Sequence, residues 1–142
     1  LHDGVLIHEQ AAIVLYLTDL FPEAGLGPRI GDAQRGPYLT WLAYYAGVVE
    51  PAFVSRFLNT DVPRGTAGWV KVEEVVAHLE ATLKDRPFLL GDAFSGADVL
   101  YGGTFAMFGQ SPIMPQSMVI ADYAKRCVAR PANARAQARD DG

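Results

Sequence analysis

Ser95-Gly96-Ala97-Asp98 opens a stretch to Phe108 that is apolar on nearly every side, and this feature restricts the fold more than any other. The Ser95 hydroxyl can accept from the backbone N–H of Asp98 while the Asp98 carboxylate reaches back to the N–H of Ser95, which makes a capping box. Phe94 and Val99 flank it as a hydrophobic staple. A helix that is apolar all round must be buried centrally, so the rest of the chain has to surround it with other helices. Gly102 and Gly103 each cost such a helix roughly 1 kcal/mol relative to Ala, which is tolerable where a neighbouring helix presses close. Loss of Ser95 or Asp98 is expected to cost roughly 1 kcal/mol, and more where burial strands a donor. This is fold chemistry rather than catalysis.

Helical periodicity supplies the neighbours. Ile13, Tyr16, Leu17 and Leu20 fall at i, i+3, i+4, i+7 on a helix that starts at Gln10 and ends at Phe21-Pro22. Asp32 is the N-cap of a long helix carrying Tyr38, Trp41, Leu42, Tyr45 and Val49. Pro51 removes one backbone hydrogen bond and crowds the Gly47 carbonyl, which predicts a kink near Glu50 and continuation through Phe53 and Phe57. Trp69, Val72, Val76, Leu79 and Leu83 predict a surface helix over 69–84, with Glu80 and Lys84 as an i, i+4 pair and His78 facing solvent. Phe88 to Asp92 is a short apolar turn. Ile120, Tyr123, Ala124, Cys127 and Val128 mark another helix, Pro131 opens a last turn or two, and the polar run from Arg135 to Gly142 is expected to fray.

The beginning of the chain reads differently. Asp3-Gly4 is a tight-turn dipeptide followed by the β-branched, apolar Val5-Leu6-Ile7, the second arm of a hairpin whose partner belongs to a larger sheet upstream. Three Gly and one Pro between Glu23 and Gly31 mark a linker. The fold class is therefore mainly α, a helical bundle preceded by a remnant strand and helix of another unit. Its divisions are residues 1–22, a linker at 23–31, and an all-helical domain over 32–142.

Half of the 142 residues are hydrophobic and 20% are charged, enough for one folded domain with a core. A net charge of −4, with no basic run longer than Lys125-Arg126, argues against nucleic acid as a partner. Apolar stretches such as Ala11 to Leu17 fall far short of the ~20 residues that span a bilayer, so no membrane partner is expected. The single Cys127 rules out an internal disulfide, lies on the apolar side of its helix as an inert thiol, and suits a cytoplasmic location. His2 and His8 with Asp3 make a poor ligand set, and no metal is expected. The chain starts at Leu1 with no charged leader and apolar stretch after it, so upstream sequence rather than a signal peptide is expected.

Phe88-Leu89-Leu90-Gly91-Asp92, a two-residue gap, then Ser95-x-x-Asp98-Val99-Leu100 resembles the folding motif of glutathione transferases. Asp3-Gly4 with the strand to Ile7, then Glu9-Gln10-x-Ala12-Ile13-x-x-Tyr16-Leu17 and Phe21-Pro22, resembles the end of that family's thioredoxin-like, glutathione-binding domain. Tyr123 to Ala132 is similar to its C-terminal helices, so the resemblance covers essentially the whole chain.

The resemblance implies transfer of the glutathione thiol to a small, apolar electrophile by a cytoplasmic, bacterial-type homodimer. Glutathione is then a co-substrate, and no cofactor or metal is implied. Glu9 occupies the family's acidic position for the γ-glutamyl end of glutathione, and Gln10 replaces the usual serine. Free N–H groups at a helix start attract a carboxylate, and a fixed Glu pairs with an ammonium. Taken alone, Glu9 is also simply an acidic residue that suits a helix N-terminus. Trp41, Tyr44 and Tyr45 lie on the helix that flanks the electrophile cleft in this family; at helical spacing they also read as core, Trp41 above all. The family's thiol-activating Tyr, Ser or Cys belongs to the upstream strands, so no catalytic residue is assigned here and the 142-residue chain alone is expected to be inactive. The alternative is a non-catalytic ligand-binding or protein-interaction module.

Overall fold

In the computed structural model, which describes residues 1–140, the helices are α1 Gln10–Leu20, α2 Arg35–Tyr44, α3 Glu50–Phe57, α4 Val72–Leu83, α5 Gly96–Phe108, α6 Met118–Val128 and α7 Pro131–Asp140. The α2 helix passes into α3 through a π-helical stretch, Tyr45–Val49, in which the Glu50 N–H reaches back to the Tyr45 carbonyl. The disturbance expected at Pro51 is thus taken up just before it as one wide turn, and the helix runs on to Phe57.

The core is helix on helix. Tyr38, Leu42, Tyr45 and Val49 meet Val75, Leu79 and Leu83 of α4, Tyr101 and Phe105 of α5, and Ile120, Tyr123 and Cys127 of α6. The tightest packing joins α5 to α6. Gly102 makes that crossing possible, because a Cβ there would sit 2.3 Å from the Cys127 Cβ, whereas one on Gly103 would meet nothing within 4 Å. The crossing therefore uses one of the two glycines.

Other expectations change. The apolar stripe of α1 points outward: Ile13, Tyr16, Leu17 and Leu20 are exposed by 37 to 46%, and Thr18 and Val14 face the bundle instead. The α5 helix is not enclosed on all sides either, since Val99, Met107 and Phe108 are exposed. Arg35, not the residue after Asp32, begins α2; the Asp32 carboxylate accepts from the Gln34 N–H at 2.7 Å and shapes the turn ahead of the helix. Trp69 precedes α4 and donates its indole N–H to the Ser55 hydroxyl at 3.1 Å.

Glu80 accepts from the Ser117 hydroxyl at 2.6 Å rather than pairing with Lys84. His78, though exposed, stacks on Trp41 at a centroid distance of 5.2 Å. The run from Arg135 is helical as far as Asp140, and residues 141–142 lie outside those described. Asp3 and Gly4 take φ values of 49° and 79°, as a tight hairpin turn requires, and His2 and Val5 exchange two backbone hydrogen bonds. Pairing stops there: Val5 to Ile7 forms no strand, because no described segment lies beside it to complete a ladder.

Candidate functional site

Two acidic residues begin helices, and their surroundings differ. The Asp98 capping box is formed, and its carboxylate is saturated. One oxygen accepts from the Leu89 N–H and the Tyr123 hydroxyl, both at 2.9 Å, and the other from the N–H and hydroxyl of Ser95, both at 2.8 Å. Asp98 is fully buried and so ties the Phe88–Gly91 turn, the start of α5 and the body of α6 to one point. Burial first, and the Asp98 charge second, hold the Tyr123 phenol protonated well above its ordinary range. The same two causes push the Cys127 thiol up to about 12, which leaves it unreactive at neutral pH. Nothing in this cluster is open to a ligand.

Glu9 is the opposite case. It stands at the N-cap of α1 with φ 68° and ψ 119°, a conformation uncommon for any residue but glycine, and no side chain caps the helix. The first-turn N–H groups of α1 therefore point outward without a side-chain acceptor. Its side chain is 76% exposed, and among the described residues its carboxylate touches only the ring of His8, at 3.3 Å. Next to it, Gln10 accepts a hydrogen bond from the Tyr45 hydroxyl at 3.4 Å, and that hydroxyl lies 2.6 Å from the Thr104 hydroxyl. Burial raises the Tyr45 pKa against the opposing Thr104 contact, with a further push from the Glu50 charge, so this phenol stays protonated.

Gln10 also stands at the edge of a cleft of about 680 Å³ between the π-helical stretch, α3 and α5. Its walls include Phe53 and Phe57 from one side and Gly103 and Met107 from the other, with Glu50 as the acidic group in the lining. The outward face of α5 is thus a cleft wall. An open helix start with a nearby carboxylate suits the zwitterionic end of an amino acid, and the apolar cleft suits an uncharged body beside it.

Of the residues singled out in the sequence, Gln10 and Tyr45 come together, Tyr45 through its hydroxyl although the residue is only 2% exposed, while Glu9 adjoins Gln10 in the chain with its carboxylate against His8 and outside the cleft lining. Trp41 and Tyr44 do not reach the cleft. They pack edge to face on each other and both meet His78 of α4, which stacks on Trp41 and lies edge-on to Tyr44, so these two rings are taken up in the contact between α2 and α4 although Trp41 lies only one helical turn from Tyr45. Sequence reasoning missed Thr104, Phe53, Phe57 and Met107. The available signal was Gly103 beside Gly102: one glycine serves the crossing, and the other keeps the cleft wall low.

Among the described residues no helix is long and apolar enough to cross a membrane, and no cluster of metal-ligating side chains occurs. A family model described as "Glutathione S-transferase, C-terminal domain" matches residues 51–127. Glutathione S-transferase GstA of Escherichia coli O157:H7 is 30% identical over 100 residues, 69% of this chain and 49% of its own. The crystal structure of a glutathione transferase from Methylococcus capsulatus str. Bath superposes with a TM-score of 0.77 at 28% identity, covering 99% of this chain and 71% of that one. A sphingomonad glutathione S-transferase solved in complex with glutathione gives 0.70 at 29% identity, covering 96% and 69%. The chain spans about half the length of the curated relatives it matches.

Proposed function

Because the chain belongs to the glutathione transferase family, we propose that Glu9, Gln10 and the open start of α1 hold the γ-glutamyl end of glutathione, with an apolar electrophile in the cleft alongside. The ligand carboxylate meets the α1 N–H groups and the Gln10 amide, and the ligand ammonium pairs with Glu9. The glutathione sulfur, as thiolate, attacks the electrophilic carbon and forms a C–S bond while the leaving group departs or the acceptor bond opens. Fixing both reactants side by side removes most of the entropic barrier to that encounter. Residues 1–22 are the end of a thioredoxin-like glutathione-binding domain, 23–31 the linker, and 32–142 the helical domain. An upstream part of a cytoplasmic homodimer supplies the group that activates the thiol.

One observation carries this reading: Glu9 is held at φ 68° on a helix start that no side chain caps. Strain of this kind persists only where the surrounding structure holds it, and it clusters at ligand-binding sites. Calorimetry of the intact protein with millimolar glutathione is expected to detect binding, and Glu9→Ala to weaken it roughly tenfold or more, the loss of a charge-assisted contact. An intact protein that binds no glutathione at that concentration favours the non-catalytic module instead.

A further inference from the structure

We propose that Thr104 and Tyr45 are positioning residues that turn the Gln10 amide so that its NH2 group, and not its carbonyl oxygen, faces the ligand carboxylate. This rests on the reading of Gln10 as a glutathione-binding residue. The argument starts from proton counting. A tyrosine hydroxyl has one proton to give, and Tyr45 Oη makes two hydrogen bonds among the described residues, to Thr104 Oγ1 at 2.6 Å and Gln10 Oε1 at 3.4 Å, with the Glu50 carboxylate also acting on it without a bond of that geometry. Of the other helical threonines, Thr18 and Thr40 donate to backbone carbonyls of their own helices, Leu15 and Gly36, each at 3.0 Å, while Thr82 of α4 makes no side-chain hydrogen bond among the described residues. Thr104, on α5, makes no such bond among the described residues, so its proton is directed to Tyr45. That leaves the Tyr45 proton for Gln10, and a donor pointing at the amide selects its oxygen. The NH2 group is then left free of Tyr45 and available to a ligand carboxylate.

The opposite order fails chemically. With the amide rotated and donating to Tyr45, its carbonyl oxygen would face the incoming carboxylate, two acceptors with no proton between them.

Tyr45 is a fixed point for this purpose. Its ring is 2% exposed and packs edge-on against Tyr101 at 5.2 Å. It is also the first residue of the π-helical stretch, whose wider turn changes the angle at which side chains leave the helix. The chain of hydroxyls gives a glutamine the directed donor that a serine supplies with a shorter side chain.

The test is a double-mutant cycle on glutathione affinity, measured by calorimetry in the intact protein. Tyr45→Phe and Thr104→Val should each weaken binding roughly three- to tenfold, and Thr104→Ser, which keeps the hydroxyl, should bind like the wild type. In a Gln10→Ser background, where the side chain is too short to reach Tyr45 Oη, Tyr45→Phe should change affinity less than twofold, within the usual scatter for uncoupled sites. The proposal is overturned if Gln10→Ala weakens binding while Tyr45→Phe and Thr104→Val do not, or if Tyr45→Phe costs as much in the serine background. Either result leaves the glutathione reading standing. A wild-type protein that ignores glutathione overturns both readings together.

Discussion

The starts of α5 and α1 read almost alike in sequence, each with an acidic residue beside the first turn of an apolar helix, yet they end in opposite states. Asp98 is sealed in and accepts four hydrogen bonds. Glu9 is exposed, takes a backbone conformation that costs energy, and leaves its helix uncapped. A carboxylate whose acceptor sites are all filled serves the fold; one with empty sites at an open helix start is available to something else.

The sharpest way to break this comparison is to remove both carboxylates in turn. Asp98→Ala strands the Leu89 and Ser95 N–H groups and the Tyr123 hydroxyl in a buried site, and should cost roughly 3 kcal/mol or more in urea denaturation. That exceeds the figure expected from the capping box alone, because Leu89 and Tyr123 lie outside the box. Glu9→Ala should stay within about 0.5 kcal/mol of the wild type, as exposed positions do. Glu9→Gly should stabilise the chain by up to about 1 kcal/mol by relieving the positive φ. Equal losses at both positions would erase the distinction.

The same contrast shows what the sequence could reveal. The α5 start was legible because every part of a capping box lies within four residues, so local chemistry decides it. The α1 stripe was legible as a helix but misleading as a burial signal: periodicity reveals that a helix has two faces, not which one a given neighbour covers. Thr18 and Val14, the side that meets Gly96 and Tyr38, look less apolar as a set than the exposed stripe. The π-helical turn left no pattern of its own beyond Pro51. The cleft depends on contacts between residues 35 to 59 positions apart, such as Gln10 with Tyr45 and Tyr45 with Thr104, which no local spacing encodes.

Within α5 the comparison can be narrowed to two adjacent residues. Gly102→Ala places a methyl group where Cys127 already stands, and should cost about 1–3 kcal/mol as α5 and α6 are forced apart. Gly103→Ala meets open space and should stabilise the helix by up to about 1 kcal/mol, measured in the same urea series. A loss at both positions would mean that the cleft wall is as crowded as the crossing.

The smallest effect concerns how α1 is attached. Its last turn is tied to α2 by a two-pronged ion pair, with Arg35 donating to both oxygens of Asp19 at 2.7 and 2.9 Å, and Arg35 also reaches the Pro28 carbonyl at 2.9 Å. The Arg35 hydrogen bonds hold the Asp19 carboxyl below its ordinary value of 3.8. A group with a depressed folded pKa contributes its full stabilisation above the unfolded value and loses it as the pH falls through the folded one. The contribution is therefore complete at neutral pH and declines progressively once acidification takes the pH below about 4. Because the Asp19 side chain is 42% exposed, solvent screens the pair, and Asp19→Asn should cost less than about 1 kcal/mol at pH 7. The urea midpoints of wild type and variant should draw together as the pH falls below about 4, and also in ~1 M salt, where exposed charges are screened within about 3 Å. A cost matching that of Asp98→Ala, or one unchanged by acid, would show that α1 is anchored by this pair as firmly as α5 is anchored by its buried carboxylate.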